Sequence, residues 1–319
     1  MTFRTGRSRP HPLHGTALLA TGVALGFWVT GCAAHTGPVS SAPAPRTTTA
    51  VNRNLAASTP RTATSGTATT TGLERDIVLA GRHFKARCDG SGPAIVGVAD
   101  YGRSMDDLGP ALRSVAPHAR VCVYDRLGVG RSDGASHEQT FTSMAEDLNG
   151  VISGLGLTRP VVVLGDGLGA PIALTWVSRH QQDARAVVLL MPEPPGFRGP
   201  GGTLQRLLPA PDPGDLELSN LRRDLDRFND PALNRESLDP KSWDAYLRTP
   251  PTSTPVFDLI GAPALPWPGS VDAQKVNRAW RNAQDRLLKL SSSAHMISIE
   301  NQSDWPSVIQ RTLQRALQS

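Results

Sequence analysis

Ten residues, Val161-Val162-Val163-Leu164-Gly165-Asp166-Gly167-Leu168-Gly169-Ala170, constrain the fold of this chain more than any other stretch. Four consecutive apolar residues, three of them β-branched, read as a strand buried on both faces. Glycines at every second position then allow a sharp corner. A helix opens at Ala170-Pro171-Ile172. A buried strand that turns tightly into a helix belongs to a mostly parallel sheet covered by helices.

The chain has 319 residues, and three composition regimes divide it. Residues 1–31 read as an export signal. Arg4, Arg7 and Arg9 precede an apolar run from about Thr16 to Val29, too short for a membrane span. The run ends in Val29-Thr30-Gly31-Cys32, which resembles the bacterial lipobox. That resemblance implies lipidation of Cys32 and an anchor on the outer face of a bacterial cell membrane. Residues 32–72 are mostly Ala, Thr, Ser, Pro and Gly. Such a segment buries too little surface to offset its ordering entropy, so it reads as a disordered tether. Its root-mean-square reach would be roughly 35 Å. Residues 73–319 are left for one globular domain.

The formal charge is +5, and three of the arginines lie in the leader, leaving about +2 for the rest. No basic run interleaved with aromatics accompanies it, so a nucleic-acid partner is not expected. No Walker motif, dinucleotide fingerprint or zinc-ligand spacing occurs, and no cofactor is expected.

Within 73–319, apolar runs alternate with helical patterns. A hairpin is predicted over Ile77–Cys88, turning near Gly81. Further strands are predicted at Ala94–Ala99, Val121–Tyr124, Val161–Leu164, Ala186–Leu190, Pro255–Ile260 and Arg286–Leu290. Helices are predicted at Met105–Val115, Thr140–Gly154, Ala170–His180, Val271–Asp285 and Trp305–Gln318.

Four segments, in order, resemble the α/β-hydrolase superfamily. Asp89-Gly90-Ser91-Gly92-Pro93 leads into an apolar strand. Tyr124-Asp125-Arg126-Leu127-Gly128-Val129-Gly130-Arg131-Ser132 resembles the turn after the fourth strand. Gly165–Gly169 matches the G-x-S-x-G nucleophile elbow. Ser291-Ser292-Ser293-Ala294-His295-Met296 resembles the segment bearing the catalytic histidine. The resemblance implies a mostly parallel eight-stranded sheet with helices on both faces. It also implies a cap over about 191–254, although a solvated excursion is an equal reading of that polar, Pro-rich segment. The second and fourth strands are antiparallel neighbours in this family. Cys88 and Cys122 would then form a disulfide in an exported chain, with Cα atoms roughly 4.4–6.8 Å apart; two buried thiols are the alternative.

A serine hydrolase needs a hydroxyl at the elbow, an imidazole base, an acid and an oxyanion hole. Here the apex is Gly167, which has no side chain. Asp166 is one residue early for a nucleophile, and Ser132 has a structural counterpart in relatives with an intact elbow. The resemblance places the oxyanion region at Asp100, Tyr101 and Leu168. A carboxylate at Asp100 would oppose developing negative charge. His295 is the expected histidine; Glu193 is the better candidate acid and Asp272 the poorer.

Three functions are compatible with these residues. The first is a non-catalytic fold that binds a small apolar or ester-like ligand, or a protein partner, in the old cleft. The second is an active hydrolase using Asp166 with His295. The third is a divalent-ion site built from Asp100, Asp166 and His295.

Overall fold

The structure, a computed structural model, describes residues 72–261 and 267–319. The leader, the tether and Cys32 lie outside the described residues. An antiparallel pair, β1 (Leu73–Leu79) and β2 (Arg82–Asp89), opens the domain. Its two-residue turn places Ala80 and Gly81 at φ 49° and 78°. Both angles positive suit a type I′ turn, whose twist matches the flanking strands. Then come β3 (Ala94–Val98), α1 (Met105–Leu112), β4 (Arg120–Tyr124), α2 (Phe141–Gly154), β5 (Val161–Asp166), α3 (Gly169–Arg179) and β6 (Ala184–Leu190). Three helices come next: α4 (Thr203–Leu207), α5 (Leu216–Phe228) and α6 (Ser242–Leu247). The chain ends with β7 (Val256–Gly261), α7 (Ala273–Leu288), β8 (Ala294–Ile299) and α8 (Trp305–Ala316).

The eight strands form one sheet in the order β1-β2-β4-β3-β5-β6-β7-β8. From β4 to β8 all pairings are parallel. Alternation along β5 divides the core between the two faces. Val161 and Val163 pack with residues of α2 and α3. Val162 and Leu164 pack with residues of α1 and α8. Each fully buried Val or Leu stabilises the fold by about 1.5–3 kcal/mol relative to exposure.

Cys88 and Cys122 stand directly opposite each other in the β2–β4 ladder. They are disulfide-bonded, with Cα atoms 4.1 Å apart, slightly closer than the expected span. This agrees with the strand order implied by the resemblance.

The segment between β6 and β7 packs onto the domain rather than standing in solvent. Trp243 and Tyr246 of α6 meet Phe141 of α2 edge-on, at ring separations of 5.0 and 5.9 Å. Phe228 of α5 meets Tyr101 edge-on at 4.8 Å.

One predicted element is wrong. Arg286–Leu290 is not a strand; Arg286–Leu288 is the last turn of α7. Val276, Trp280, Ala283 and Leu287 recur at helical spacing and are buried along α7. That face carries the helix past Arg286. The eighth strand begins later and contains His295 itself.

Candidate functional site

The carboxyl ends of the central parallel strands hold the corner that the sequence marks. Gly167 follows β5 at φ 50°, a left-handed conformation costly for side-chain-bearing residues. Its amide donates to the Leu190 carbonyl, and its own carbonyl accepts from Ala170 and Glu193. Gly169 starts α3 against β3: a Cβ there would lie 2.1 Å from the Val98 carbonyl oxygen. No larger residue permits that approach.

The space above Gly167 is filled. A Cβ on Gly167 would lie 2.1 Å from Asp100 Oδ1 and 2.2 Å from Asp100 Cγ. Asp100 follows β3, and its Oδ1 accepts from the Leu168 and Tyr101 amides, both at 2.7 Å. Those amides belong to the residue after the apex and to the loop after β3. This pair of positions forms the oxyanion hole in nucleophile-elbow enzymes. The structure therefore brings Asp100, Tyr101 and Leu168 together, with Asp100 accepting from both donors. The sequence predicts repulsion by a nearby carboxylate; the geometry adds occupation of the hole.

Burial raises the Asp100 carboxyl above its usual range, against the two amides and the Arg198 charge, which pull it down. Asp166 is pushed up to about 7, first by burial and then by the Asp100 charge.

A buried ion pair holds the Asp100 loop. Arg126 donates to the Ala99 and Asp100 carbonyls at 2.6 and 3.0 Å. Its Nε and Nη2 each reach Glu236 at 2.8 Å. Glu236 also accepts from the Gly102 amide at 2.8 Å. Both side chains are almost wholly buried. Asp125 pins the neighbouring turn, accepting from the Met105 and Arg131 amides. Ser132 donates to the Asp125 carbonyl and accepts from the Lys85 amide, a structural role. Glu236 carries no motif, and sequence reasoning missed it.

Removing one partner of a buried, fully hydrogen-bonded pair strands the other charge. We expect Arg126→Ala or Glu236→Ala to lower stability by about 3–5 kcal/mol in urea denaturation, and the apolar double replacement Arg126→Met with Glu236→Leu to lose less. Equal losses in single and double variants would contradict this account.

His295 does not reach the site. It is the second residue of β8, paired with Phe257 near the start of β7. Its exposed ring stacks on Phe257 at 5.5 Å. The carboxyl end of β8 is Ile299, about 13 Å further along the strand. Beyond Ile299 the chain continues through Glu300, Asn301 and the turn Gln302–Asp304, with no histidine. The ladder sets Asp166 level with Ile297, three strands away and two residues beyond His295, so the structure does not bring Asp166 and His295 together. The metal trio of Asp100, Asp166 and His295 fails for the same reason. Among the described residues no group of three or more His, Cys, Asp or Glu side chains could hold a metal ion.

Glu193 lies beside the elbow but is committed elsewhere. Its Oε2 accepts from Arg198 Nε at 3.0 Å, and its amide donates to the Gly167 carbonyl. Asp272 caps α7 by accepting from the Lys275 amide. Neither carboxylate has an imidazole partner among the described residues.

Comparison with known proteins agrees with this architecture. A family model described as alpha/beta hydrolase fold matches residues 93–302. The uncharacterized protein YqjL of Bacillus subtilis is 26% identical over 110 residues, which cover 34% of this chain and 44% of that protein. A variant of the haloalkane dehalogenase DatA from Agrobacterium tumefaciens superimposes with a TM-score of 0.53 at 19% identity, covering 78% of this chain and 98% of that one. An esterase from Exiguobacterium antarcticum gives 0.52 at 15% identity, covering 78% and 100%. At such identities the structural likenesses establish the fold alone. With the matched family model spanning most of the folded region, this chain belongs to the alpha/beta hydrolase fold family.

Proposed function

We propose that this protein is an exported, lipid-anchored member of the family that performs no ester hydrolysis and uses its old cleft to hold a ligand or partner without turning it over. One observation carries the reading: Asp100 Oδ1 accepts from both the Leu168 and Tyr101 amides, directly above a residue with no side chain. A tetrahedral intermediate would need those same donors and an attacking oxygen. The absence of a histidine in the turn after β8 supports it independently. The lipobox-like Val29-Thr30-Gly31-Cys32 supports the anchor.

A single experiment reads both parts. Cells expressing the full chain, or its Cys32→Ser variant, are fractionated and treated with a fluorophosphonate probe and p-nitrophenyl butyrate. We expect the parent chain in the membrane fraction, the variant outside it, and neither labelled nor hydrolytic. Stoichiometric labelling or sustained turnover would defeat the non-catalytic reading, and equal membrane retention of the two chains would defeat the anchor.

A further inference from the structure

A second concavity lies away from the elbow, among α2, α3 and α6. Its volume is about 520 Å³. Two positive elements and one unpaired hydroxyl converge on it. The first is the amino end of α2, a helix of 14 residues. A capping box there satisfies two amides: Thr140 donates to Ser143 Oγ, and Ser143 donates to Thr140 Oγ1. The amides of Phe141 and Thr142, next in the first turn, have no acceptor inside the helix. Both residues line the concavity. The positive end of the helix dipole therefore faces it.

The second element is side-chain charge. Arg179, Lys241 and Arg248 line the same wall, against one acid, Asp239. Arg179 shares its charge with Glu146. Lys241 and Arg248 are exposed and have no carboxylate partner among the described residues. The third is Ser242, which lines the concavity although only 3% exposed. Its hydroxyl has no hydrogen-bond partner among the described residues. A buried hydroxyl left unpaired is costly, and an oxyanion in the concavity that Ser242 lines would supply the missing partner.

We propose that the concavity among α2, α3 and α6 binds a phosphate-type oxyanion, held by the amino end of α2, Lys241, Arg248 and Ser242. The site is independent of the elbow and of whether the elbow is catalytic. The same chemistry suits free phosphate and the phosphodiester of an anionic lipid headgroup. A helix amino terminus supplies directed N–H donors, and the two unpaired cations supply the neutralising charge.

The test uses the full chain carrying Cys32→Ser, so that no acyl group contributes to membrane binding. Inorganic phosphate is titrated by phosphorus-31 NMR. In parallel, vesicles of phosphatidylcholine with and without phosphatidylglycerol are sedimented with the protein. Lys241→Gln with Arg248→Gln is the comparison, and its unchanged melting temperature is the control for folding. We expect binding in at least one arm, weakened about tenfold or more by the double substitution. Binding of inorganic phosphate identifies a free anion as sufficient. Binding confined to phosphatidylglycerol vesicles identifies the headgroup. No binding in either arm, or binding that the double substitution leaves unchanged, overturns the proposal.

Discussion

We expect Gly167→Ser to yield a protein that is less stable by about 4–8 kcal/mol and that shows no esterase activity. The new Cβ would lie 2.1 Å from Asp100 Oδ1, so the carboxylate must leave. Leaving breaks two hydrogen bonds of 2.7 Å to the Leu168 and Tyr101 amides. Bonds to a charged acceptor contribute about 1.5–3 kcal/mol each, and the positive φ adds strain of about 1–2 kcal/mol. Asp100→Gly in the same chain removes the collision, but the Leu168 and Tyr101 amides lose their carboxylate acceptor, so only part of the lost stability returns. The double variant still has no base, because His295 lies at the far end of β8. Urea denaturation and p-nitrophenyl butyrate hydrolysis of the two variants check this. Esterase activity in Gly167→Ser alone would show that the Asp100 carboxylate does not fill the hole in solution.

The stability of the protein falls as pH rises from about 4 to 7, and one buried acid in β7 accounts for a large part of the fall. Asp258 is fully buried, and neither carboxylate oxygen has a partner among the described residues. Burial alone pushes it up to about 7. Below about pH 4 the carboxyl is protonated in folded and unfolded chains alike. Between about 4 and 7 the folded chain keeps a proton that the unfolded chain has released. Stability then declines by about 1.4 kcal/mol per pH unit, roughly 4 kcal/mol in all, and this contribution is level above about 7. Asp166 and Asp100 move in the same direction, so the parent's curve alone does not isolate Asp258. The difference between parent and Asp258→Asn does. We expect the Asn variant to match the parent near pH 4 and to exceed it by several kcal/mol at pH 8, measured by urea midpoints. Parallel curves across that range would refute the assignment.

The parts of the site legible in the sequence are those encoded within a few residues. The elbow is written in Val161–Ala170, and the missing side chain at Gly167 needs no structure to be noticed. The disulfide is legible once β2 and β4 are taken as antiparallel neighbours. Asp100 is visible as a misplaced acid, but its capture of the Leu168 amide joins residues far apart in the chain. His295 is misplaced by the sequence pattern because Leu287, Leu288 and Leu290 suit a buried strand as well as a buried helix. Shifting the eighth strand later by one element moves the imidazole from the strand's carboxyl end to its amino end. Glu236 is illegible for another reason: its partner Arg126, although part of the turn motif, is 110 positions away, and no local pattern marks Glu236 itself. Asp258 lies inside the predicted strand Pro255–Ile260, but its shifted titration follows from its complete burial, which only the structure shows.

The carboxylate lodged over the apex has a historical consequence. A lineage that carries it does not reach a serine nucleophile by one codon change without cost, because serine at 167 is penalised while aspartate remains at 100. Losing the aspartate first discards two satisfied amides and gains no activity without an imidazole beyond β8. On the proposed non-catalytic reading, each single step towards a nucleophile is neutral or harmful, so the backbone amides themselves hold the apex closed.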